Sequence, residues 1–486
     1  MLQDCFGCRL TVTDTAALAL YDQALEQLLT LAAEPAWQLQ RATELDPGLL
    51  MGHVLQGLLA ALGTDKAQLL LAERALSEAR ALNTHRPRER LHVAALAAWC
   101  AGRWGTAVSL WEQILLEEPA DAVAMFAAHR GDFLLGQSTE LRDRVARRLG
   151  FIDAGTPLYG HYLGMYAFGL QANGAHACAE RFGRQALEAC PRDAWAIHAV
   201  AQALEVGGRP QEGIHWLAER QGDWAEGNRL AVHHWWHLAL CHFDSQAWPQ
   251  VLALYDQHIG RDSLAIQDHL DAAALLWRLG LQGVDVGERW QAQLAFWQAH
   301  IEDRWYGFND LHAMLSFVAC GRFDLADRLL TVMAETAAGH DDNARTTRHT
   351  ALPLARGLYA FACGHYSEAV ELLAQLRHSM VALGGSHAQR DLLTQTLICA
   401  AQRAGQPRLA LALLPAQVVT QPGPPLEQGR QPRHPARRGT AHTATAGACQ
   451  LAHAWSGIRP LSLPWADAQG FFAQFGTSRR APLTTG

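Results

Sequence analysis

Lysine is almost absent from this chain of 486 residues, since Lys66 is its single example. Arginine supplies nearly all of the 40 basic residues, which 47 acidic residues outnumber to give a net charge of −7. Proteins that bind nucleic acid or an anionic membrane surface normally carry an excess of basic side chains. The charge balance therefore favours neither kind of partner.

Long apolar runs are also missing. No window reaches the roughly 18 nearly uncharged residues that a membrane helix needs. The N-terminal segment MLQDCFGCRLTVTD lacks the basic and apolar regions of a signal peptide. The sequence thus predicts a soluble, cytoplasmic protein that has no membrane partner.

Paired cysteines and known catalytic motifs are scarce. The ten cysteines fall singly except for Cys5 and Cys8, and this CxxC has no second CxxC or CxxH to complete a zinc site. We therefore interpret the cysteines as small buried side chains rather than disulfides. The sequence also contains no GxSxG elbow, kinase motif set or Rossmann fingerprint.

The sequence does contain a repeat. Gly102 is followed by Trp104, Ala107, Trp111 and Pro119, which stand two, five, nine and seventeen positions later. This is the spacing of the tetratricopeptide (TPR) helix-turn-helix, in which glycine permits the turn, alanine lets the helices cross closely and proline ends the second helix. Much of the spacing returns after three further glycines: Gly174, Gly321 and Gly364.

Helical periodicity fills the rest of the body. Apolar residues recur at i, i+3, i+4 and i+7, and strand signals are almost absent. One helix pair is too small to bury its own apolar face, so the pairs must stack on one another. We predict an all-α, TPR-like superhelical solenoid in residues 1–415, built from about eight to ten helix pairs.

The composition changes after Pro415. Residues 416–486 are rich in proline, glycine, threonine and arginine. Within residues 427–486, seven arginines outnumber the two acidic residues, Glu427 and Asp467. Such a segment buries too little apolar surface to offset its chain entropy. We predict a disordered low-complexity tail, and a shifted reading frame would produce the same change from acidic body to basic tail.

Several longer segments together resemble one family, the tetratricopeptide repeat protein 38 family. They are, in order, RERLHVAALAAWCAGRWGTAVSLWEQIL, DAWAIHAVAQALEVGGRPQEG, LAVHHWWHLAL, LALYDQHI, GVDVGERW, FNDLHAML and LGGSHAQRDLL. The resemblance covers residues 14 to about 403. It implies a TPR-like fold, but it supplies no reaction, substrate, cofactor or catalytic residue.

Histidine is unusually frequent, with 24 residues. His233 and His237 lie one helical turn apart, a geometry that can chelate a transition metal. A zinc protease motif would need glutamate where His234 stands. Flanking tryptophans place this face in the interior, and we expect His198 and His312 to face the same cavity. The sequence offers four nearby partners for these rings: Asp193, Asn309, Asp310 and Asp391.

Other polar side chains fall on helices that are predicted to line the superhelix axis. A histidine oriented by a carboxylate, with an arginine to hold an anion, is the minimal set for acid–base chemistry. Each residue alone also fits an N-cap or a buried hydrogen bond. The pattern therefore predicts no metal site and no cofactor. It defines a candidate interior polar site of nine residues: His198, His233, His237, Asn309, Asp310, His312, His387, Arg390 and Asp391.

Two functions fit this sequence. The first is a scaffold whose concave groove holds a protein or peptide, and it rests on the architecture alone. The second is a small-molecule-binding protein or enzyme that uses the polar site inside the solenoid. The histidines beside tryptophans motivate the second function, because a peptide scaffold has no evident need for them.

Overall fold

The computed structural model describes residues 2–32 and 35–414. Within this part of the chain every regular element is a helix, and the two isolated β-bridges, Gln3 with Arg9 and Ala32 with Asn228, form no sheet. None of these helices is both long and apolar enough to cross a membrane. The prediction of a low-complexity tail in residues 416–486 falls outside the described residues.

The first half of the solenoid contains helices α1 to α13. They are α1 (Thr15–Leu29), α2 (Pro35–Leu45), α3 (Leu50–Ala61), α4 (Leu69–Ala81), α5 (Pro87–Cys100), α6 (Trp104–Glu117), α7 (Ala122–Leu134), α8 (Ser138–Leu149), α9 (Pro157–Ala172), α10 (His176–Ala189), α11 (Ala194–Val206), α12 (Pro210–Glu219) and α13 (Gln221–Trp224).

The second half contains helices α14 to α24. They are α14 (Ala231–Asp244), α15 (Trp248–Leu254), α16 (Ile266–Leu281), α17 (Trp290–Ala299), α18 (Gly307–Ala319), α19 (Phe323–Ala337), α20 (Asp342–Thr346), α21 (Leu352–Ala362), α22 (Tyr366–Leu376), α23 (His387–Arg403) and α24 (Pro407–Ala412). Short 3₁₀ turns cover Lys66–Gln68, Gly287–Arg289 and Met380–Leu383, and π-helical turns cover Tyr255–Ile259 and Thr347–Ala351.

Antiparallel pairs of consecutive helices stack into the predicted all-α solenoid. The pairs are α1/α2, α3/α4, α5/α6, α7/α8, α9/α10, α11/α12, α14/α15, α16/α17, α18/α19, α21/α22 and α23/α24, which makes eleven in the described residues. This is one more than the upper end of the predicted range. In the first two pairs, α1/α2 and α3/α4, the turn between the two helices lacks the glycine–aromatic spacing. The repeat pattern therefore does not identify these pairs.

The turns and crossings inside the pairs confirm the reasons given for the repeat. Four glycines lie between the paired helices, with φ of 71° at Gly102, 77° at Gly174, 67° at Gly321 and 79° at Gly364. This is the left-handed region, which glycine enters without a Cβ clash. Four alanines at the crossings have no exposed surface: Ala107, Ala179, Ala326 and Ala369.

Successive turns of the superhelix touch one another. The backbone N–H of Gly105 donates to Asp342 Oδ2 at 2.8 Å across 237 positions. Asn309 Nδ2 donates to the carbonyl of Thr64 at 2.9 Å across 245 positions. The first helix pairs of the chain therefore pack against the later ones.

An inner layer of helices is buried on every side. On α11 all residues from Ala194 to Leu204 are buried, whereas α10 buries one face only. A helix buried all round lies between other layers, so its polar side chains are interior. Across the axis α16 packs against α23, where Trp277 Nε1 donates to Thr396 Oγ1 at 2.9 Å. Polar groups on α11, α14, α16 and α23 are thus brought close together.

Candidate functional site

Three histidines meet between α11 and α14. His198 extends from α11, and His233 and His237 extend from one face of α14 because four residues make about one helical turn. The exposed fractions of the three residues are only 1%, 6% and 0%. The histidine cluster, defined as these three residues, is therefore closed to bulk solvent.

The Nε2 atoms of His233 and His237 both lie close to Nε2 of His198. His198 Nε2 lies 3.1 Å from His233 Nε2 and 3.1 Å from His237 Nε2. One ligand atom from each ring lies within 4.8 Å of the others. Tetrahedral zinc with Zn–N bonds of about 2.0–2.1 Å would place its ligand nitrogens about 3.3–3.4 Å apart. The two spacings from His198 Nε2 are close to that requirement.

Two carboxylates form hydrogen bonds with the Nδ1 atoms of His233 and His237. His233 Nδ1 donates to Asp271 Oδ2 at 2.7 Å. His237 Nδ1 donates to Glu205 Oε2 at 2.8 Å when Glu205 is ionised. In a neutral imidazole only one nitrogen carries a proton, so a donating Nδ1 leaves Nε2 as a lone pair. This carboxylate–histidine arrangement is the usual outer shell of a metal-binding histidine.

Without a cation, the three neutral rings of the histidine cluster have too few protons to hydrogen-bond with one another. His198 Nε2 has at most one proton in the neutral ring, and it faces the lone pairs of both His233 and His237. One proton cannot serve two lone pairs, whereas a metal ion bound by the three Nε2 atoms would satisfy all of them.

Electrostatics keep the rings in the form that a metal needs. Burial lowers the pKa of His198 well below its ordinary value, and the neighbouring His233 and His234 lower it further. Burial likewise lowers the pKa of His237 well below the ordinary range, with His198 and His233 adding to the effect. Both imidazoles are therefore neutral at physiological pH, as metal ligands must be.

The second layer around the cluster is both polar and aromatic. Asp271 is fully buried, and its Oδ1 accepts from Gln389 Nε2 at 2.9 Å. Gln389 is held in turn by the capping box of α23, where it exchanges hydrogen bonds with Ser386. The Trp236 ring stacks on His233 with centroids 5.3 Å apart. Helices α16 and α23 thus fix the orientation of His233 within an apolar shell.

A pocket adjoins this cluster on the side of α9 and α23. Its lining includes Phe168, Gln171, His387 and Arg390. The Phe168 ring also lies 4.9 Å, centroid to centroid, from the ring of His198. Phe168 is therefore the wall between the pocket and the histidine cluster.

The other residues of the predicted polar site lie outside the cluster. His312 is buried and donates from Nδ1 to the carbonyl of Phe308 at 2.8 Å, while its Nε2 has no hydrogen-bond partner among the described residues. Asn309 joins two turns of the superhelix through Thr64. Asp310 is buried, and this burial, with nearby Asp303, raises its pKa to about 7.

The three predicted residues on α23 also take separate positions. Arg390 donates to the carbonyls of Gly384 and Gly385 and lines the pocket with His387. Asp391 accepts from Gln395 Nε2 at 2.6 Å. No metal-type cluster among the described residues includes any of these side chains.

The predicted partners of the buried imidazoles are wrong. Asp193 caps α11 and faces His161 instead, and the rings of the cluster bind Asp271 and Glu205. A local signal existed for Glu205, because it lies seven residues after His198 and therefore on the same face of α11. No such signal marks Asp271, which lies 38 positions from His233.

Comparison with models of known protein families gives no match to this chain.

Proposed function

We propose that this protein binds a divalent transition metal, zinc in the first instance, at Nε2 of His198, His233 and His237, and that the metal assists hydrolysis of a small molecule. The observation that carries the proposal is the approach of three buried imidazoles, with His198 Nε2 at 3.1 Å from Nε2 of both His233 and His237. The hydrogen bond from His233 Nδ1 to Asp271 leaves the Nε2 lone pair of the neutral His233 ring on the side of His198. The sequence alone predicted no metal, and this proposal replaces that prediction.

The charge balance of the interior supports a cation. Asp271 has no exposed surface, and its two hydrogen-bond donors are His233 Nδ1 and Gln389 Nε2. Burial raises the pKa of Glu205 well above its ordinary value, and Asp244 raises it further. The buried Arg278 lowers the pKa of Glu205, but this one cation is shared among four carboxylates. Buried anions are costly unless cations compensate them. A divalent metal between the rings would stabilise both carboxylates.

The ligand number favours catalysis over a structural role. Structural zinc sites have four protein ligands, whereas catalytic sites have three and keep one position for water or substrate. A zinc ion held by these three histidines would supply an activated water as the nucleophile. The pocket on the far side of the Phe168 ring would be the approach for a small substrate.

The repeat identity remains part of the proposal. The glycine–aromatic–alanine spacing and the resemblance to the tetratricopeptide repeat protein 38 family support tetratricopeptide repeats as the units of the solenoid. The expected scaffold function stays a prediction. We favour the interior site because a peptide ligand needs exposed axis-facing side chains, whereas α11 and α14 bury nearly all of theirs.

Metal analysis of the purified full chain tests the first half of this proposal. The His233→Ala/His237→Ala double variant should lose about one equivalent of zinc relative to the parent, since one ligand alone cannot retain it. His215→Ala is the matched control, because this histidine is on α12 with its side chain 73% exposed. Equal zinc content in the parent and the double variant would contradict the proposal.

A second experiment tests whether the proposed metal keeps one coordination position open for water or substrate. Cobalt(II) in place of zinc makes the site visible by absorption. Acetohydroxamate, a small metal-binding anion, should then change the part of the cobalt spectrum that the double variant lacks. A spectrum that stays unchanged at saturating acetohydroxamate would show a closed, structural site and would exclude hydrolysis at this metal.

A further inference from the structure

A second cluster of metal-type side chains lies at the start of α11. It consists of His161 on α9, Cys190 at the end of α10 and Asp193 before α11. One ligand atom from each lies within 4.8 Å of the others. His161 Nδ1 is 3.5 Å from Asp193 Oδ2. We name these three residues the junction cluster, because they join the ends of three helices.

The local fold explains how these residues meet. Cys190 ends α10, and its carbonyl accepts from the backbone N–H of Asp193 at 3.1 Å. Asp193 Oδ1 caps α11 by accepting from the N–H of Ala196 at 2.9 Å. On α9 the residue facing Asp193 is Gly164, where a Cβ would stand only 2.7 Å from Oδ1. Glycine at this position lets α9 bring His161 to the carboxylate.

Capping uses only one oxygen of Asp193. The other, Oδ2, and Nδ1 of His161 are both buried without a hydrogen-bond partner among the described residues. The side chains of His161 and Asp193 are 7% and 0% exposed, while Cys190 is a partly exposed free thiol. Two unsatisfied buried atoms beside a free thiol form an arrangement that a ligand would complete.

We propose that the junction cluster is a second metal site, independent of the histidine cluster, which binds zinc through His161 Nδ1, Cys190 Sγ and Asp193 Oδ2. The 3.5 Å spacing of nitrogen and oxygen is near the roughly 3.3–3.4 Å edge of a tetrahedral zinc site. A thiolate, an imidazole and a carboxylate are all zinc ligands. Binding deprotonates the thiol and releases its proton to solvent.

The position of this metal suggests a structural role. It would tie the start of α9 and the end of α10 to the first turn of α11. Helix α11 also carries His198, so the junction metal would fix the helix that supplies one ligand of the histidine cluster. This role stands whether or not the histidine cluster binds a metal.

Cobalt(II) titration of the metal-free full-length protein distinguishes the two sites. Cobalt bound by a thiolate gives a sulfur-to-cobalt charge-transfer band in the near ultraviolet, whereas cobalt bound by three histidines does not. We expect this band in the parent, its loss in Cys190→Ser, and its retention in the His233→Ala/His237→Ala variant. Cys178→Ser is the matched control, because Cys178 is an exposed thiol on α10.

The Asp193→Asn variant tests whether Asp193 is a metal ligand while leaving the N-cap of α11 intact. Asparagine caps a helix as well as aspartate does, so the melting temperature of the metal-free variant should equal that of the parent. Its cobalt affinity should fall more than about 100-fold, beyond the loss that follows removal of an outer-shell partner. The proposal is overturned if the parent shows no charge-transfer band, if Cys190→Ser keeps the band, or if Asp193→Asn binds cobalt at parental affinity.

Discussion

Asp271 Oδ2 accepts a hydrogen bond from His233 Nδ1 at 2.7 Å, although the two residues stand 38 positions apart and on different helices. The second oxygen of Asp271 accepts from Gln389 Nε2 on α23 at 2.9 Å. With both oxygens engaged, the carboxylate cannot rotate away from the imidazole. The His233 ring is therefore held with its Nε2 lone pair directed at His198, which is the condition for ligation.

Asp271→Asn should weaken zinc binding about 10- to 100-fold, the usual cost of losing an outer-shell carboxylate. The carboxylate serves two donors, His233 Nδ1 and Gln389 Nε2. An amide has one oxygen, so it must present a donor to one of them. Competition with a chromophoric chelator measures the affinity.

Asp268→Asn is the control for that measurement, because it removes a nearby charge whose hydrogen bond is to Ser263 at 2.7 Å and not to the cluster. The parent and Asp268→Asn should bind zinc alike. Parental affinity in Asp271→Asn would mean that the carboxylate does not orient a ligand.

Contact between successive turns of the superhelix should make alanine more destabilising at Gly102 than at Gly364. Gly102 and Gly364 both have positive φ, so alanine costs about 1–2 kcal/mol at either position. At Gly102 the new Cβ would also stand 3.0 Å from Asp341 Cβ on the next turn, whereas Gly364 has nothing within 4 Å. Urea unfolding should therefore show a larger loss for Gly102→Ala. Equal losses would show that the turns do not press together there.

Close helix crossing should make Ala326 intolerant of larger side chains. It has no exposed surface at the start of α19. Leucine there should lower the free energy of unfolding by about 1–3 kcal/mol through overpacking. Ala334→Leu, at an exposed position of the same helix, should change it by less than about 0.5 kcal/mol. Similar values for both variants in denaturant unfolding would contradict the crossing geometry.

Asp310 should make stability depend on pH. Burial raises its pKa in the folded protein from 3.8 to about 7, and Asp303 adds to the effect. The folded state therefore holds this proton more tightly than the unfolded state, and stability falls as pH rises from about 4 to about 7. The slope from this one group approaches about 1.4 kcal/mol per pH unit in that window.

Asp310→Asn removes this ionisation, so its unfolding free energy should decline less than that of the parent between about pH 4 and pH 7. Asp327→Asn, at an exposed position of α19, serves as the control and should follow the parental curve. Superimposable curves for the parent and Asp310→Asn would show that Asp310 ionises in the folded protein as it does in the unfolded chain.

The fold could be predicted from local spacing because each helix pair repeats the same steric requirements. Gly102 and Ala107 illustrate this: one must allow a turn and the other a close crossing, and both needs show in the sequence around them. The first pairs, α1/α2 and α3/α4, meet these needs with other residues. Their existence follows from the stacking of the solenoid and not from the motif.

The candidate site could be predicted only in part. His233 and His237 share a helix face by their spacing alone, and His198 follows from the place of α11 in the inner layer. Asp271 and Gln389 come from helices that meet across the axis, a relationship set by how the superhelix closes. His312 is buried on α18 outside the cluster, where its Nδ1 donates to the carbonyl of Phe308 on the same helix.

An anomalous difference map at the zinc absorption edge, from crystals of metal-replete protein, decides whether the histidine cluster holds a metal. We predict a peak among His198, His233 and His237 at about 2.0–2.1 Å from each Nε2. Three imidazoles in direct contact, with no anomalous density between them in such crystals, would contradict it.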